Sequence, residues 1–202
     1  MEQRSDEWFS ARAGKATASN FRRILAKIKS GEAADRRNYR AQLVVERLTG
    51  KADEGYENAA MRWGTEQEPF ARIAYIAATG ANVEEVGFIQ HPQLMAGCSP
   101  DGLIGEEGGL EIKCPTKATH LDTLKAQAMP AEHMPQVQGC MWITGRKWWD
   151  FVSYHPEFPE HLQLFIVRIE RDEQYIAGLE KEVRAFLKSV DDEMEAVSRL
   201  AA

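Results

Sequence analysis

Cysteine is scarce in this chain of 202 residues: there are three, at positions 98, 114 and 140, and no two stand in a CxxC pair. An odd number in apolar settings argues against both a disulfide framework and a thiolate zinc site, and marks all three as reduced core residues. Long apolar runs are missing too. No stretch approaches the roughly 20 apolar residues of a membrane-spanning helix, and the opening residues Glu2, Arg4, Asp6 and Glu7 lack the apolar segment of a secretory signal. The expectation is a cytoplasmic protein with no membrane partner. Internal repeats and low-complexity linkers are absent as well. With 44% hydrophobic residues the chain suffices for one sizeable core and is large for two, so residues 1–202 are read as a single domain.

What the chain does have is Ser99-Pro100-Asp101-Gly102, followed by Gly109-Leu110-Glu111-Ile112-Lys113-Cys114-Pro115. Leu110, Ile112 and Cys114 alternate with Glu111 and Lys113, the period-two pattern of a half-buried strand whose charged side chains share one face. Asp101 closes the preceding segment, residues 94–98, and completes a hairpin. Pro100 and Gly102 are turn formers that can hold its carboxylate over the same face. Two hard oxygen ligands side by side suit Mg²⁺ or Mn²⁺. A lysine binds no such ion but can steady an attacking water or the charge developing at phosphorus. Taken alone, the residues lead to a metal-dependent phosphodiesterase acting on nucleic acid; a solvent-facing hairpin with an ordinary Glu–Lys pair has the same pattern.

Charge bears on that reading through its distribution. The formal net charge is −6, although phosphate contacts need Lys or Arg. Arg12, Lys15, Arg22, Arg23, Lys27, Lys29, Arg36, Arg37 and Arg40 make the first forty residues basic, while Asp191, Asp192, Glu193 and Glu195 make the other end acidic. One basic face on an acidic body fits a DNA channel; solvated helix faces are the commoner meaning of such runs.

The order Pro-Asp, spacer, Glu-x-Lys resembles the signature of the PD-(D/E)xK nuclease superfamily. Successive blocks are similar to the phage lambda exonuclease type of viral recombinase, the alkaline exonucleases. They are Trp8 with Arg12, Gly14, Thr17, Ala18 and Ser19; Trp63-Gly64 with Glu68; Cys98 to Gly102; Leu110 to Pro115; Gln136-Val137-Gln138; Met141-Trp142; and Ile169 to Glu173. The match runs from about residue 4 to about residue 190. It implies an α/β restriction-endonuclease-like core, a central mixed sheet flanked by helices. The implied activity is 5′-to-3′ digestion of one strand of linear duplex DNA to mononucleotides, leaving 3′ single-stranded tails for phage-type recombination. A ring-shaped homotrimer threaded by DNA, a single-strand annealing protein as partner, and a phage or prophage origin in a bacterial cell are implied with it.

Residue by residue, the resemblance assigns two Mg²⁺ (or Mn²⁺) to Asp101, Glu111 and the backbone carbonyl of Ile112, with two-metal sites placing their ions about 3.5–4 Å apart. Lys113 acts beside the attacking water, Glu68 brings a third carboxylate, and Gln136 lies by the site. Arg12, Ser19 and Ser99 bind the terminal 5′-phosphate, and Met61 wedges between terminal bases. Each also has an ordinary meaning: Glu68 completes a Thr65-to-Glu68 capping box, Gln136 sits in an apolar helical stripe, Ser19 caps a helix, Arg12 is a surface residue and Met61 a core residue. An endonuclease or junction resolvase of the same fold, or an inactive DNA-end-binding protein, are the alternative functions. Trp142, Trp148 and Trp149 read as core or subunit contacts, since the last two point to opposite faces of one strand.

Periodicity and caps predict a short helix from Ser5 to Gly14, a second through Phe21, Ile24, Leu25 and Ile28 to near Gly31, and a third over residues 36–49. Loops are expected at residues 29–35 and 50–55, and a helix from Thr65 to Gly80. Strands are expected at residues 83–91, 94–98 and 110–114, a helical region at 119–144, strands at 148–154 and 162–169, and a long helix from Asp172 to about Arg199.

Overall fold

The computed structural model describes residues 2–53 and 58–201. Its centre is a five-stranded sheet ordered β2-β5-β6-β7-β8: β2 (Val83–Glu84), β5 (Gly102–Ile104), β6 (Gly108–Lys113), β7 (Trp148–Tyr154) and β8 (Leu164–Glu170). Neighbours run antiparallel except β6 and β7, which are parallel with Glu111 opposite Phe151 and Lys113 opposite Ser153. A smaller sheet holds β1 (Ala16–Thr17), β4 (Ala96–Cys98) and β3 (Ile89–Gln90), with β4 in the middle.

Period-two alternation sorts the two faces of the large sheet. Leu110 and Ile112 of β6 and Val152 and Tyr154 of β7 pack against Ala71 and Tyr75 of α4 (Ala59–Thr79). Trp149 and Phe151 point the other way. They join Val137, Cys140 and Met141 of α6 (Met134–Thr144) and Ile176, Leu179 and Val183 of α7 (Glu173–Ser198). Strand β6 is therefore buried on both faces rather than half-buried, and Glu111 stands on its inner side at 1% exposure. Gly109 is required beneath Trp149, because a Cβ there would lie 2.3 Å from the indole.

Helix starts follow side-chain caps. Ser5 accepts from the Trp8 N–H at the head of α1 (Asp6–Arg12), Asn58 from Met61 at the head of α4, Thr116 from Thr119 at α5 (Lys117–Ala126), and Asp172 from Tyr175 at α7. Helix α3 (Ala34–Thr49) lies against α7, outside the short α2 (Phe21–Ile24).

Several expectations are corrected. The span 83–91 is two strands in different sheets, and β1 and β5 were not anticipated. The hairpin pairs β5 with β6, so Asp101 begins the first arm rather than ending the segment at 94–98. Helix α2 stops at Ile24, and residues 119–144 contain two helices with a 3₁₀ turn (Ala131–His133) between them. Helix α4 starts at Ala59, behind the Asn58 cap, not at Thr65. The Thr65 hydroxyl donates to the Met61 carbonyl in mid-helix, which removes the capping box, and Pro69 lies well inside the helix. Of the expected loop at 50–55, positions 54 and 55 fall outside the described residues.

Candidate active site

The β5–β6 hairpin delivers the carboxylates. Asp101 stands just before β5, and its Oδ2 accepts the Ile112 N–H at 2.6 Å, locking it beside the next strand. Two residues apart on β6, Glu111 and Lys113 project toward α6, and Lys113 Nζ lies 2.5 Å from Glu111 Oε1. Gln136, in the first turn of α6, donates from Nε2 to the same Oε1 at 2.7 Å, and its Oε1 faces Lys113 Nζ at 3.5 Å. Asp101, Glu111, Ile112, Lys113 and Gln136 thus form one cluster.

Electrostatics are severe here. Burial, reinforced by the charges of Glu111 and Glu68, pushes the Asp101 carboxyl well above the ordinary carboxylate range. Burial pulls the Lys113 ammonium down, but Glu111 and Asp101 outweigh it and hold the amine charged. Burial and the charge of Glu68 raise the neighbouring Cys114 thiol to about 12, which keeps it protonated.

A divalent cation fits this cluster on one specific ground. Glu111 Oε2 is buried and has no hydrogen-bond partner, an arrangement that costs free energy unless something cationic meets it. The donor set is two carboxylates with a nearby backbone carbonyl, and no group of three or more His, Cys, Asp or Glu has metal-holding geometry among the described residues. Mg²⁺ suits such a set, since it keeps several of its waters.

Glu68 approaches Asp101 from α4, but Arg72 holds it at 2.7 Å. Arg72 also binds Glu85 at 2.8 Å, and Glu68, Arg72 and Asp101 share a cavity of about 490 Å³. Sequence reasoning missed Arg72, though its i,i+4 spacing from Glu68 was legible.

Arg12 and Ser99 meet across 87 residues of sequence: Arg12 Nη1 donates to Ser99 Oγ at 3.1 Å. Trp8 Nε1 donates to the same hydroxyl at 2.9 Å, and the Arg12 guanidinium stacks 4.0 Å from the Trp8 ring centre. Trp8 thus holds Arg12 and Ser99 together, a contact that its place in a sequence block does not reveal. Ser19 stands apart from this pair. Its hydroxyl lies 3.3 Å from that of Thr17, and it lines a cavity of about 280 Å³ with Arg22, Lys113, His133 and Gln136. Ser19 caps no helix, since the 3₁₀ turn of residues 18–20 begins at Thr17 and Asn20 precedes α2. Burial and the charge of Lys113 lower His133 to about 4, keeping its ring neutral.

The turn after Arg12 is clamped. Gly14 has φ +68°, its N–H donates to buried Glu46 at 2.7 Å, and its carbonyl accepts from Arg47 Nε at 2.8 Å. Met61 is half exposed rather than a core residue.

The basic N-terminal region divides. Arg12, Lys15 and Arg23 line a cavity of about 670 Å³ together with Trp8 and Tyr39. Arg36 and Arg40 instead pair with Glu182 and Glu193 of α7, fastening α3 to the acidic helix. Those two arginines are already engaged by acidic partners on α7.

Comparison with known proteins gives this geometry a family. The YqaJ-like viral recombinase domain matches residues 7–147. The chain is 47% identical to LHK-Exo, an alkaline exonuclease from Laribacter hongkongensis, over 98% of each chain with a TM-score of 0.91, and that protein has also been solved in complex with dAMP. A phage-related exonuclease from Haemophilus somnus 129PT shares the fold at 18% identity and a TM-score of 0.73, covering 91% of this chain and 96% of that one. The protein ExoD of Escherichia coli K12 is 31% identical over 71 residues, 35% of this chain and 80% of that protein. The mixed sheet flanked by helices is the PD-(D/E)xK core that these exonucleases share. By the span of the match and the course of the whole backbone, this chain belongs to the YqaJ-like viral recombinase family.

Proposed function

We propose that the protein is a metal-dependent 5′-to-3′ exodeoxyribonuclease that degrades one strand of linear duplex DNA to mononucleotides. The 3′ single-stranded tail it leaves serves phage-type recombination with an annealing protein, and the working form is a homotrimeric ring. Its likeness to LHK-Exo, an alkaline exonuclease solved with a deoxynucleoside monophosphate, supports exonucleolytic action on DNA. The observation that carries the metal is the unpartnered, buried Oε2 of Glu111 in the same cluster as the buried Asp101 carboxyl.

Asp101, Glu111 and the Ile112 carbonyl hold the divalent ions. Bound there, Mg²⁺ supplies Lewis-acid charge neutralisation at the scissile phosphate and a more acidic water. The chain's own groups do the rest. Lys113, kept protonated by its carboxylate neighbours, stabilises the negative charge that gathers on the phosphoryl oxygens as water attacks. Gln136 fixes Glu111 and Lys113 relative to each other through one amide. Arg12 offers a planar fork to a terminal 5′-phosphate, with Ser99 beside it as hydroxyl donor. Ser99 stands two residues before Asp101, so a phosphate held there lies about one nucleotide from the cut. That distance sets a mononucleotide product. Ser19 lines the adjoining cavity on the Lys113 side, where it can reach the same terminal nucleotide. Glu68 adds its carboxylate to the field at Asp101.

The test is digestion of linear duplexes labelled at the 5′ or the 3′ end, with Mg²⁺ and with EDTA. Early release of labelled mononucleotide from the 5′-labelled strand, abolished by EDTA, is expected. Nicking of a covalently closed plasmid would instead identify an endonuclease of the same fold.

A further inference from the structure

A second opening of about 710 Å³ shares Met61 with the Arg12 cavity and has none of its other lining residues. Its wall is formed by Trp63, His155, Pro115 and Thr119, with Lys117 and Glu157 at the rim. The Trp63 and His155 rings lie 4.9 Å apart and tilted by 36°, with His155 buried and the Trp63 indole half-buried at the opening. Cys114 and Pro115 carry the chain from Lys113 straight into this wall, so it is continuous with the catalytic strand. Lys117 pairs with Glu157 at 2.5 Å, and both side chains are well exposed. Such a pair contributes little and leaves the ammonium available to a backbone phosphate.

We propose that this opening is a nucleobase-stacking site for the strand that is not digested: an unpaired base at its 3′ end leaves the duplex on the Trp63 side of Met61 while the 5′ strand passes to the Arg12 side. The placement rests on the exonuclease reading above, because it treats Met61 as the point where the strands part. The chemistry is independent of base identity, since every base has a π face and an apolar, aromatic wall gives it no directional partner. Sequence preference is accordingly not expected.

The experiment uses the full-length protein in EDTA, with fluorescence anisotropy at fixed salt. One duplex carries a short 3′ tail of thymidines, and the other carries the same tail as abasic spacers with the phosphates retained. Wild-type protein should bind the thymidine tail about tenfold more tightly, within the range for stacking one or two bases. Trp63→Leu should bring the ratio near one with the abasic affinity unchanged, and Trp63→Phe should restore most of it. Ala118→Phe fills the opening from an exposed position on α5 without altering Trp63, and should also abolish the ratio. Equal wild-type affinity for both tails overturns the proposal, as does a ratio that survives both Trp63→Leu and Ala118→Phe. A protein that digests labelled ends yet ignores tail bases refutes this site alone. One that prefers base-bearing tails but releases no nucleotide refutes the exonuclease reading.

Discussion

Asp101→Asn should stabilise the metal-free protein while abolishing cleavage. In the native site the Asp101 carboxyl is buried and faces Glu111 and Glu68, which raises its folded-state pKa well above 3.8. A carboxyl raised in this way binds more protons folded than unfolded. Its contribution to stability is complete below an unfolded value of about 3.9 and is lost as pH rises through the higher folded value. Metal-free protein loses that contribution progressively as pH rises. Asparagine keeps an acceptor oxygen for the Ile112 N–H, now at 2.6 Å from Asp101 Oδ2, and removes the charge. With metal the order reverses. An ion at a hundred times its Kd stabilises the folded state by roughly 2.7 kcal/mol. For a chain of this size each kcal/mol moves Tm by about 2–4 °C, so wild type should gain on the order of 5–10 °C. The assay is thermal unfolding of both proteins from about pH 5 to about pH 8, in EDTA and in saturating Mg²⁺. In EDTA the variant should melt above wild type, increasingly so at higher pH; in Mg²⁺ only wild type should rise. Wild type melting above the variant in EDTA at alkaline pH, or an equal Mg²⁺ gain in both, refutes the reasoning.

Other outcomes follow from the same geometry. Lys113→Ala should reduce cleavage of labelled duplex by at least about a hundredfold, with Mg²⁺ still raising Tm; loss of that Mg²⁺ response would make Lys113 a determinant of metal binding instead. Arg12→Ala should bring digestion of 5′-phosphorylated ends close to the rate on 5′-hydroxyl ends, and Arg12→Lys should recover only part because an ammonium lacks the fork; an unchanged ratio of the two rates would remove Arg12 from end recognition. Met61→Ala should slow digestion of duplex more than of single strands, since the exposed side chain has no core role, whereas equal slowing would exclude a wedge. Arg40→Ala should cost under about 1 kcal/mol in denaturant melts and leave DNA affinity and its salt slope unaltered, because Arg40 is committed to Glu32 and Glu193; a shallower slope would return it to the DNA-binding surface.

The sequence made the chemical centre legible and the frame around it less so, for physical reasons. Asp101, Glu111 and Lys113 lie on one hairpin, where alternation and turn residues dictate which side chains meet. Gln136 and the Arg12–Ser99 contact are long-range, and only resemblance to a family could point to them. Glu68 illustrates the opposite failure: the Thr65-to-Glu68 spacing satisfied a local capping rule, but Asn58 had already started the helix and the four residues were interior. Residues 83–91 read as one strand because their apolar pattern continues, while the pairing partners of β2 and β3 belong to different sheets. Charge runs were least informative. Arg36 and Arg40 resemble a DNA-binding arm in the sequence, and the fold spends them on α7.

Contacts that build the two halves of the site differ greatly in span along the chain. The carboxylate Asp101 reaches Ile112 over 11 residues, whereas Arg12 reaches Ser99 over 87. Closing the short loop requires less conformational entropy, and local contacts form sooner than distant ones. During folding the hairpin that carries Asp101, Glu111 and Lys113 can therefore take shape before the N-terminal helix docks. Docking of α1, secured by Glu46 and Arg47 at the Gly14 turn, then follows closure of the hairpin, so the Arg12–Ser99 pair is assembled after the carboxylate cluster.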